Sequence, residues 1–290
     1  MKFDKNTKIL IVGLGLIGGS YAKALSDEGY FVGAIDKKKS SVEYALKNGL
    51  IQVGETSVKK DFVKDFDLIV FALYPHDFIN WIKEYQSSIK SGALITDVTG
   101  VKSFVVENVQ KILRSDLEFV GAHPMAGKEV SGVENADPKI FVGANYIVTP
   151  TKRNTDENVQ AVQDLGRALG FERVSSLSPE VHDETVGFLS HLTHCIAVSL
   201  MVSKKSHHLA EYTGDSFRDL TRIAKINDEM WSELFLANKD ELLKQMDLFE
   251  EKFNQLKEDI KNDNREKIRE TLRESTARRK VFDKDAKETK

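Results

Sequence analysis

At 290 residues, 41% hydrophobic and 30% charged, the chain is long enough for one large or two ordinary domains with a packed core, and too apolar for wholesale disorder. Its formal net charge of −3 supplies no electrostatic reason to expect nucleic acid or an anionic membrane as partner. A single cysteine, Cys195, excludes an internal disulfide and a cysteine-based metal cluster.

The N-terminal MKFDKNTK is charged and leads straight into a strand-like run, so no signal peptide is expected. KILIV, residues 8–12, is a continuous apolar run, as a strand covered on both faces requires. GLGLIGG follows, then a helical pattern with Ile17, Tyr21, Ala24 and Leu25 on one face. Further strands are expected over residues 30–36, 67–73, 92–98, 117–122 and 145–150, with helical segments between most of them. Strands spaced by helices imply right-handed crossovers and an α/β, doubly wound, mostly parallel sheet.

Beyond Ser178 no convincing strand recurs. Ser178 is suited to cap a helix with Pro179 at its first position and Glu180, Asp183 and Glu184 in its early turns. Val181, Phe188, Leu189, Leu192, Cys195 and Ile196 form a helical stripe. The apolar stretch 186–202 is broken by Ser190, His191, Thr193, His194 and Ser199, which makes it too short and too polar to span a bilayer. Asn238 with Glu241 has a capping-box pattern, followed by a stripe of Leu242, Leu243, Met246, Phe249, Phe253, Leu256 and Ile260. A last helix starts near Asn264, and a charged tail runs over 283–290. We therefore expect a domain over residues 1–176 and an all-helical one over 177–290. So much apolar surface on long helices calls for a partner, either the first domain or a second subunit. A soluble, cytoplasmic protein is expected.

Gly13-Leu14-Gly15-Leu16-Ile17-Gly18 follows a strand and opens a helix, the context in which this glycine spacing binds a dinucleotide. Gly13 permits the tight turn, Gly15 admits a pyrophosphate, and Gly18 lets helix and strand approach. Asp36 ends the second strand, placed to accept from adenosine ribose hydroxyls and to repel a 2′-phosphate, so NAD is expected over NADP. Lys37, Lys38 and Lys39 soften that repulsion. His123 follows the expected strand 117–122 and so should point into the crevice beyond the carboxyl ends of the strands. There a neutral imidazole accepts a hydroxyl proton as hydride leaves a carbinol carbon, or else simply caps the strand. Pro124 biases it toward extended backbone.

HPMAGKEVSGVENADPKIF from His123, DETVGFLSHLTH from Asp183 and FRDLTRIAKINDEMW from Phe217 are similar to the signature of the prephenate and arogenate dehydrogenases. With the glycine motif they make four matches in order, from about Lys8 to Trp231. The resemblance implies a Rossmann-type domain followed by a helical dimerisation domain and a homodimer through the C-terminal helices. It implies oxidative decarboxylation of prephenate to 4-hydroxyphenylpyruvate, or of arogenate to tyrosine, with NAD as hydride acceptor. It further implies that His123 accepts from the substrate hydroxyl and that Arg222 binds a substrate carboxylate, a role suited to a planar guanidinium. Read alone, Arg222 is equally a solvated helix charge or a partner of Asp219. By resemblance Ser190 and His194 line the substrate pocket, with Glu129 and Trp231 near it; read alone, Ser190 and His194 are as readily satisfied core groups. His191 and His194, three apart with no acid in a metal pattern, make a poor zinc site, and no metal is expected.

One position departs from the pattern. Relatives often carry serine after this strand, holding the histidine; here Asp97-Val98-Thr99-Gly100 puts glycine there, and Thr99 is the nearest replacement hydroxyl. No C-terminal regulatory domain or fused chorismate mutase is expected. A non-catalytic NAD-binding sensor on this scaffold is the remaining alternative, one that would need neither His123 nor Arg222.

Overall fold

The computed structural model describes residues 1–205 and 208–282; the expected charged tail lies outside the described residues. The first half alternates as β1 (Lys8–Val12), α1 (Leu16–Asp27), β2 (Phe31–Ile35), α2 (Lys39–Lys47), β3 (Val53–Glu55), α3 (Lys60–Val63), β4 (Leu68–Phe71), α4 (Pro75–Tyr85), β5 (Leu94–Asp97) and α5 (Ser103–Ile112). Then come β6 (Glu118–Phe119), β7 (Gly121–Pro124), β8 (Asn145–Thr149), α6 (Asp156–Ala168) and β9 (Arg173–Ser176). Six strands form a wholly parallel sheet in the order β3-β2-β1-β4-β5-β6. The apolar runs explain it. Ile9, Ile11, Leu68, Val70 and Leu94 enter one core layer, and Leu10, Val12, Ile69, Phe71 and Ile95 the other. Alternate residues thus face opposite sides, and both sides are covered by helices. The chain leaves β1 toward β2 and β3, then returns to place β4 on the other flank of β1. That reversal opens a crevice at the carboxyl end of β1, where open α/β sheets bind ligands.

The single strand expected over 117–122 is instead two. β6 closes the parallel sheet, and β7 begins a second sheet of order β7-β8-β9, antiparallel to β8, which is parallel to β9. The hand-over is local. Val120 N–H still donates to Ile95 (3.0 Å), while Ala122 N–H donates to the Asp97 carboxylate (3.0 Å) as the β8 ladder takes over. His123 therefore lies inside β7, opposite Ile147, rather than beyond a parallel strand. Neither β3 nor β9 was expected, because neither is a buried apolar run: β3 is half-buried and β9 mostly exposed.

The second half is helical among the described residues. It comprises α7 (Pro179–Val186), a π-helical turn (Gly187–Leu192), α8 (Thr193–Val202), α9 (Asp215–Thr221), α10 (Asp228–Ala237), α11 (Lys239–Lys261) and α12 (Arg265–Arg279). Ser178 caps α7 through Val181 N–H (3.3 Å), with Pro179 at its first position, as expected. The continuous helical stretch Pro179–Val202 is 24 residues and, by length and composition alone, is long and apolar enough to cross a membrane. This corrects the expectation from 186–202: the helix starts seven residues earlier. It nonetheless buries His182, Asp183 and His191 within the protein. Asn238 does not open α11 as a capping box. It closes α10, and its amide goes to the Asp183 carbonyl (2.9 Å) and to His191 Nδ1 (3.2 Å).

The chain packs as two compact units, Met1–Lys239 and Asp240–Lys290. In the second, Leu243, Met246, Phe249, Phe253 and Ile260 of α11 are exposed. The turn from α11 to α12 is held by Asp259, which accepts from Gln255 (3.1 Å) and Asn264 (3.1 Å).

Candidate active site

The glycine loop lies between β1 and α1. Gly13 has φ +99°, and a Cβ there would stand 2.5 Å from the Ala72 carbonyl oxygen. A Cβ on Gly18 would press into the Gly13 carbonyl. Both positions are closed by the protein itself. Gly15 differs: a Cβ there meets nothing within 4 Å. No side chain caps α1, so its first amides stay available for an anion, with the helix dipole behind them. Leu14 is buried, and its N–H donates to Asp36 Oδ2 (2.7 Å), while Asp36 Oδ1 accepts from Lys38 N–H (2.7 Å). Each carboxylate oxygen keeps a lone pair for a ribose hydroxyl. Leu16 is buried and Ile17 packs on the core, so these two support the loop from below. The cradle fits a dinucleotide: donors for phosphate, an acceptor for ribose, and no protein atom close to the outward side of Gly15.

His123 is half-buried on β7. Its Nδ1 lies 2.9 Å from His182 Nε2, and His182 Nδ1 lies 2.8 Å from Asp183 Oδ1. Asp183 in turn accepts from the backbone N–H of Lys102 and of Ser103, both at 2.8 Å. The free nitrogen of His123 is therefore Nε2, which faces the backbone of Gly100; a Cβ there would lie 3.8 Å from it. Desolvation, then the charges of His182, Lys102 and His191, push the His123 pKa well below 6.5. His182 is also lowered, mainly by burial. Both rings are neutral at physiological pH, the state an acceptor needs.

Thr99 is buried, and its partners lie outside this pair. Its hydroxyl donates to the Asp97 carboxylate and contacts the Val101 carbonyl (2.9 Å), and Lys102 Nζ approaches it at 3.1 Å. The group holding His123 is thus His182 rather than the Thr99 hydroxyl. Lys102, 0% exposed, also pairs with Asp97 (2.6 Å). Burial lowers the Lys102 pKa, and Asp97 opposes that shift.

A second cluster gathers the other expected residues. Arg222 Nη1 is paired with Glu129 Oε1, the two side chains being 64% and 38% exposed. His194 stacks on Trp231 with ring centroids 3.7 Å apart, and its Nδ1 lies 2.8 Å from the Ser190 carbonyl. That carbonyl also accepts from the Thr193 hydroxyl (2.7 Å), so side chains satisfy the backbone where the helix widens. His194 feels both Glu129 and Arg222, and burial lowers its pKa. His191 lies 6.0 Å from Trp231 and beside Asn238, which reaches Asp183, so a run of contacts links the two clusters. Burial drops His191 to about 4, which makes it a neutral packing group. Among the described residues no group of three or more His, Cys, Asp or Glu side chains is arranged to hold a metal.

Sequence reasoning missed His182, the role of Asp183, and Lys102. His182 and His123 are 59 positions apart, and Asp183 and Lys102 are 81 apart. The only local clue was a His-Asp pair in the first turns of a capped helix.

Two family profiles match the chain. One, described as "Prephenate dehydrogenase, nucleotide-binding domain", covers residues 21–173; the other, "Prephenate dehydrogenase, dimerization domain", covers 178–274. The chain is 34% identical over 249 residues to the prephenate dehydrogenase of Bacillus subtilis, covering 82% of this chain and 66% of that protein. It is 29% identical over 287 residues to the cyclohexadienyl dehydrogenase of Zymomonas mobilis, covering 96% of both. Among solved structures, the prephenate dehydrogenase of A. aeolicus in complex with hydroxyphenyl propionate and NAD+ superposes with a TM-score of 0.87 at 34% identity, covering 96% of this chain and 98% of that one. The chain belongs to the prephenate dehydrogenase family.

Proposed function

We propose that this chain catalyses NAD-dependent oxidative decarboxylation of prephenate to 4-hydroxyphenylpyruvate. The observation that carries the reading is a neutral His123 whose Nδ1 is tied to His182 and whose Nε2 is free. It stands in a fold that matches, over almost its whole length, a relative whose structure holds NAD+ and a hydroxyphenyl carboxylic acid. NAD, when bound, supplies the hydride acceptor. The residues proposed to hold it are Gly13, Gly15 and Gly18 through backbone, with Leu14, Leu16 and Ile17 setting the loop and Asp36 taking the ribose.

His123 Nε2 accepts the hydroxyl proton as hydride departs from the same carbon. The electrons of the ring-to-carboxylate bond pass into the ring, carbon dioxide leaves, and the oxygen ends as a phenol once the proton returns. Aromatisation drives the step, so the protein has chiefly to position and polarise. Arg222 takes a substrate carboxylate, which requires Glu129 to give up its ion pair. Ser190, His194 and Trp231 are proposed to wall the pocket. Thr99 is proposed to support the site from beneath by bracing Asp97 and Lys102. Residues 1–176 are proposed as the cofactor domain, and 177–290 as the substrate and dimerisation domain of a cytoplasmic homodimer.

Arogenate would meet the same residues, since it differs only in its side chain. The test is NADH formation, followed by absorbance, with NAD plus either substrate. Turnover of one, lowered by roughly 10²–10⁴ in kcat for His123→Asn with KM little changed, supports the reading. No turnover of either, or full kcat in the variant, overturns it.

A further inference from the structure

We propose that His182 and Asp183 are positioning residues that fix which nitrogen of His123 carries the proton and offset the charge His123 gains in turnover. The inference rests on His123 being the proton acceptor. An ionised carboxylate only accepts. Burial works against the charge on Asp183, but the His182 contact and the two backbone N–H groups it accepts together hold its carboxyl below the usual range. His182 Nδ1 must therefore carry the hydrogen of the 2.8 Å contact to Asp183. A neutral imidazole has one N–H, so His182 Nε2 is left as an acceptor. Across the 2.9 Å contact, His123 Nδ1 must then donate, and its own Nε2 keeps the lone pair. The carboxylate thus dictates, two rings away, that the open nitrogen of His123 is basic.

The ionisable groups around the His123–His182 pair come from four elements: Lys102, ahead of α5, and His191, in the π turn, act on His123, while Asp97 at the end of β5, Lys102 and Asp183 on α7 act on His182. His182 and His191 are neutral. Asp97 and Asp183 against Lys102 leave one net negative charge. A proton arriving on His123 Nε2 brings the cluster to neutrality, so an imidazolium that Lys102 alone would disfavour gains a compensating carboxylate. Because His123 donates from Nδ1 both before and after it takes the proton, no hydrogen bond must be rearranged.

Asp183 also caps α5 through Lys102 and Ser103, so its removal would confuse folding with catalysis. His182 separates them. His182→Gln puts an amide oxygen where Nε2 accepts and a donor toward Asp183. His182→Leu keeps bulk and removes both. We expect His182→Leu to lower kcat by roughly 10²-fold, with KM and NAD affinity within about twofold, and to shift the acid limb of the kcat profile. His182→Gln should recover kcat to within about fivefold of the parent. Nitrogen-15 NMR of the resting protein should find His123 protonated at Nδ1, and a mixture of tautomers in His182→Leu. Parental kcat and pH profile in His182→Leu would overturn the proposal. So would equal losses in both variants accompanied by lower melting temperatures, or a resting His123 protonated at Nε2. If the parent protein turns over neither substrate, the functional reading fails, while the NMR arm still decides the tautomer.

Discussion

Gly15 and Gly18 are three residues apart in one motif, yet alanine at each should fail in a different way. At Gly18 a methyl group would be driven into the Gly13 carbonyl and would also stand 3.0 Å from the Ala72 side chain. Helix α1 must move off β1 to admit it. Overpacking of that kind costs about 1–3 kcal/mol, or a fall of roughly 2–4 °C in Tm per kcal/mol for a chain of this size. At Gly15 the backbone is extended, with φ −87° and ψ −159°, and the methyl meets no protein atom within 4 Å. Folding stability should change by less than ~0.5 kcal/mol, or rise slightly as the unfolded chain loses freedom. The methyl would instead occupy the space left for a pyrophosphate. Losing one charge-assisted amide contact costs about 1.5–3 kcal/mol, so Kd for NAD should rise roughly 10- to 150-fold. Thermal denaturation of the apoprotein and titration with NAD separate the two. A Gly15→Ala protein with parental NAD affinity, or a Gly18→Ala protein with parental Tm, would refute the assignment of open space to the cofactor.

Asp36→Ser should weaken NAD and narrow its advantage over NADP, since the carboxylate both braces Leu14 N–H and opposes a 2′-phosphate; comparing kcat/KM for the two cofactors checks this, and equal use of both by the parent would count against it. Arg222→Gln should raise KM by roughly 10- to 150-fold with a smaller effect on kcat if, as proposed, the guanidinium holds a substrate carboxylate in the ground state too; an unchanged KM leaves it a surface charge paired with Glu129. Acid should destabilise the fold early. His123, His182 and His191 all have folded pKa values below the unfolded ~6.5, so the unfolded chain takes up protons that the folded one refuses, and stability falls as pH drops below ~6.5 by about 1.4 kcal/mol per pH unit for each such group. For His191 that window runs down to about 4. Urea unfolding at pH 7 and pH 5 measures it, and equal stability at both would show that these rings are not held neutral. The exposed apolar stripe of α11 should be covered by a second copy; light scattering at micromolar concentration should report a dimer, and a monomer mass would sink that reading.

Much of this protein is written locally. The parallel core follows from runs such as KILIV and LIVF, because a strand covered on both faces must be apolar throughout. The cofactor loop follows from glycine spacing plus an acid one strand later, since a turn and a helix start are properties of a few adjacent residues. The start of α7 was likewise legible from Ser178 and Pro179. What lay beyond reach depends on residues distant in the chain. No periodicity within 117–122 announces that β7 changes sheets, because the switch is made by Asp97 and by pairing with β8. Nor does any spacing place His182 against His123, or Glu129 against Arg222, 93 positions away. Residue type decided that these groups were able to do acid–base and carboxylate chemistry. Which nitrogen is tied, which is free, and how far burial lowers its pKa were decided only when helix and sheet packed together, because hydrogen-bond partnership and desolvation belong to neighbours in space.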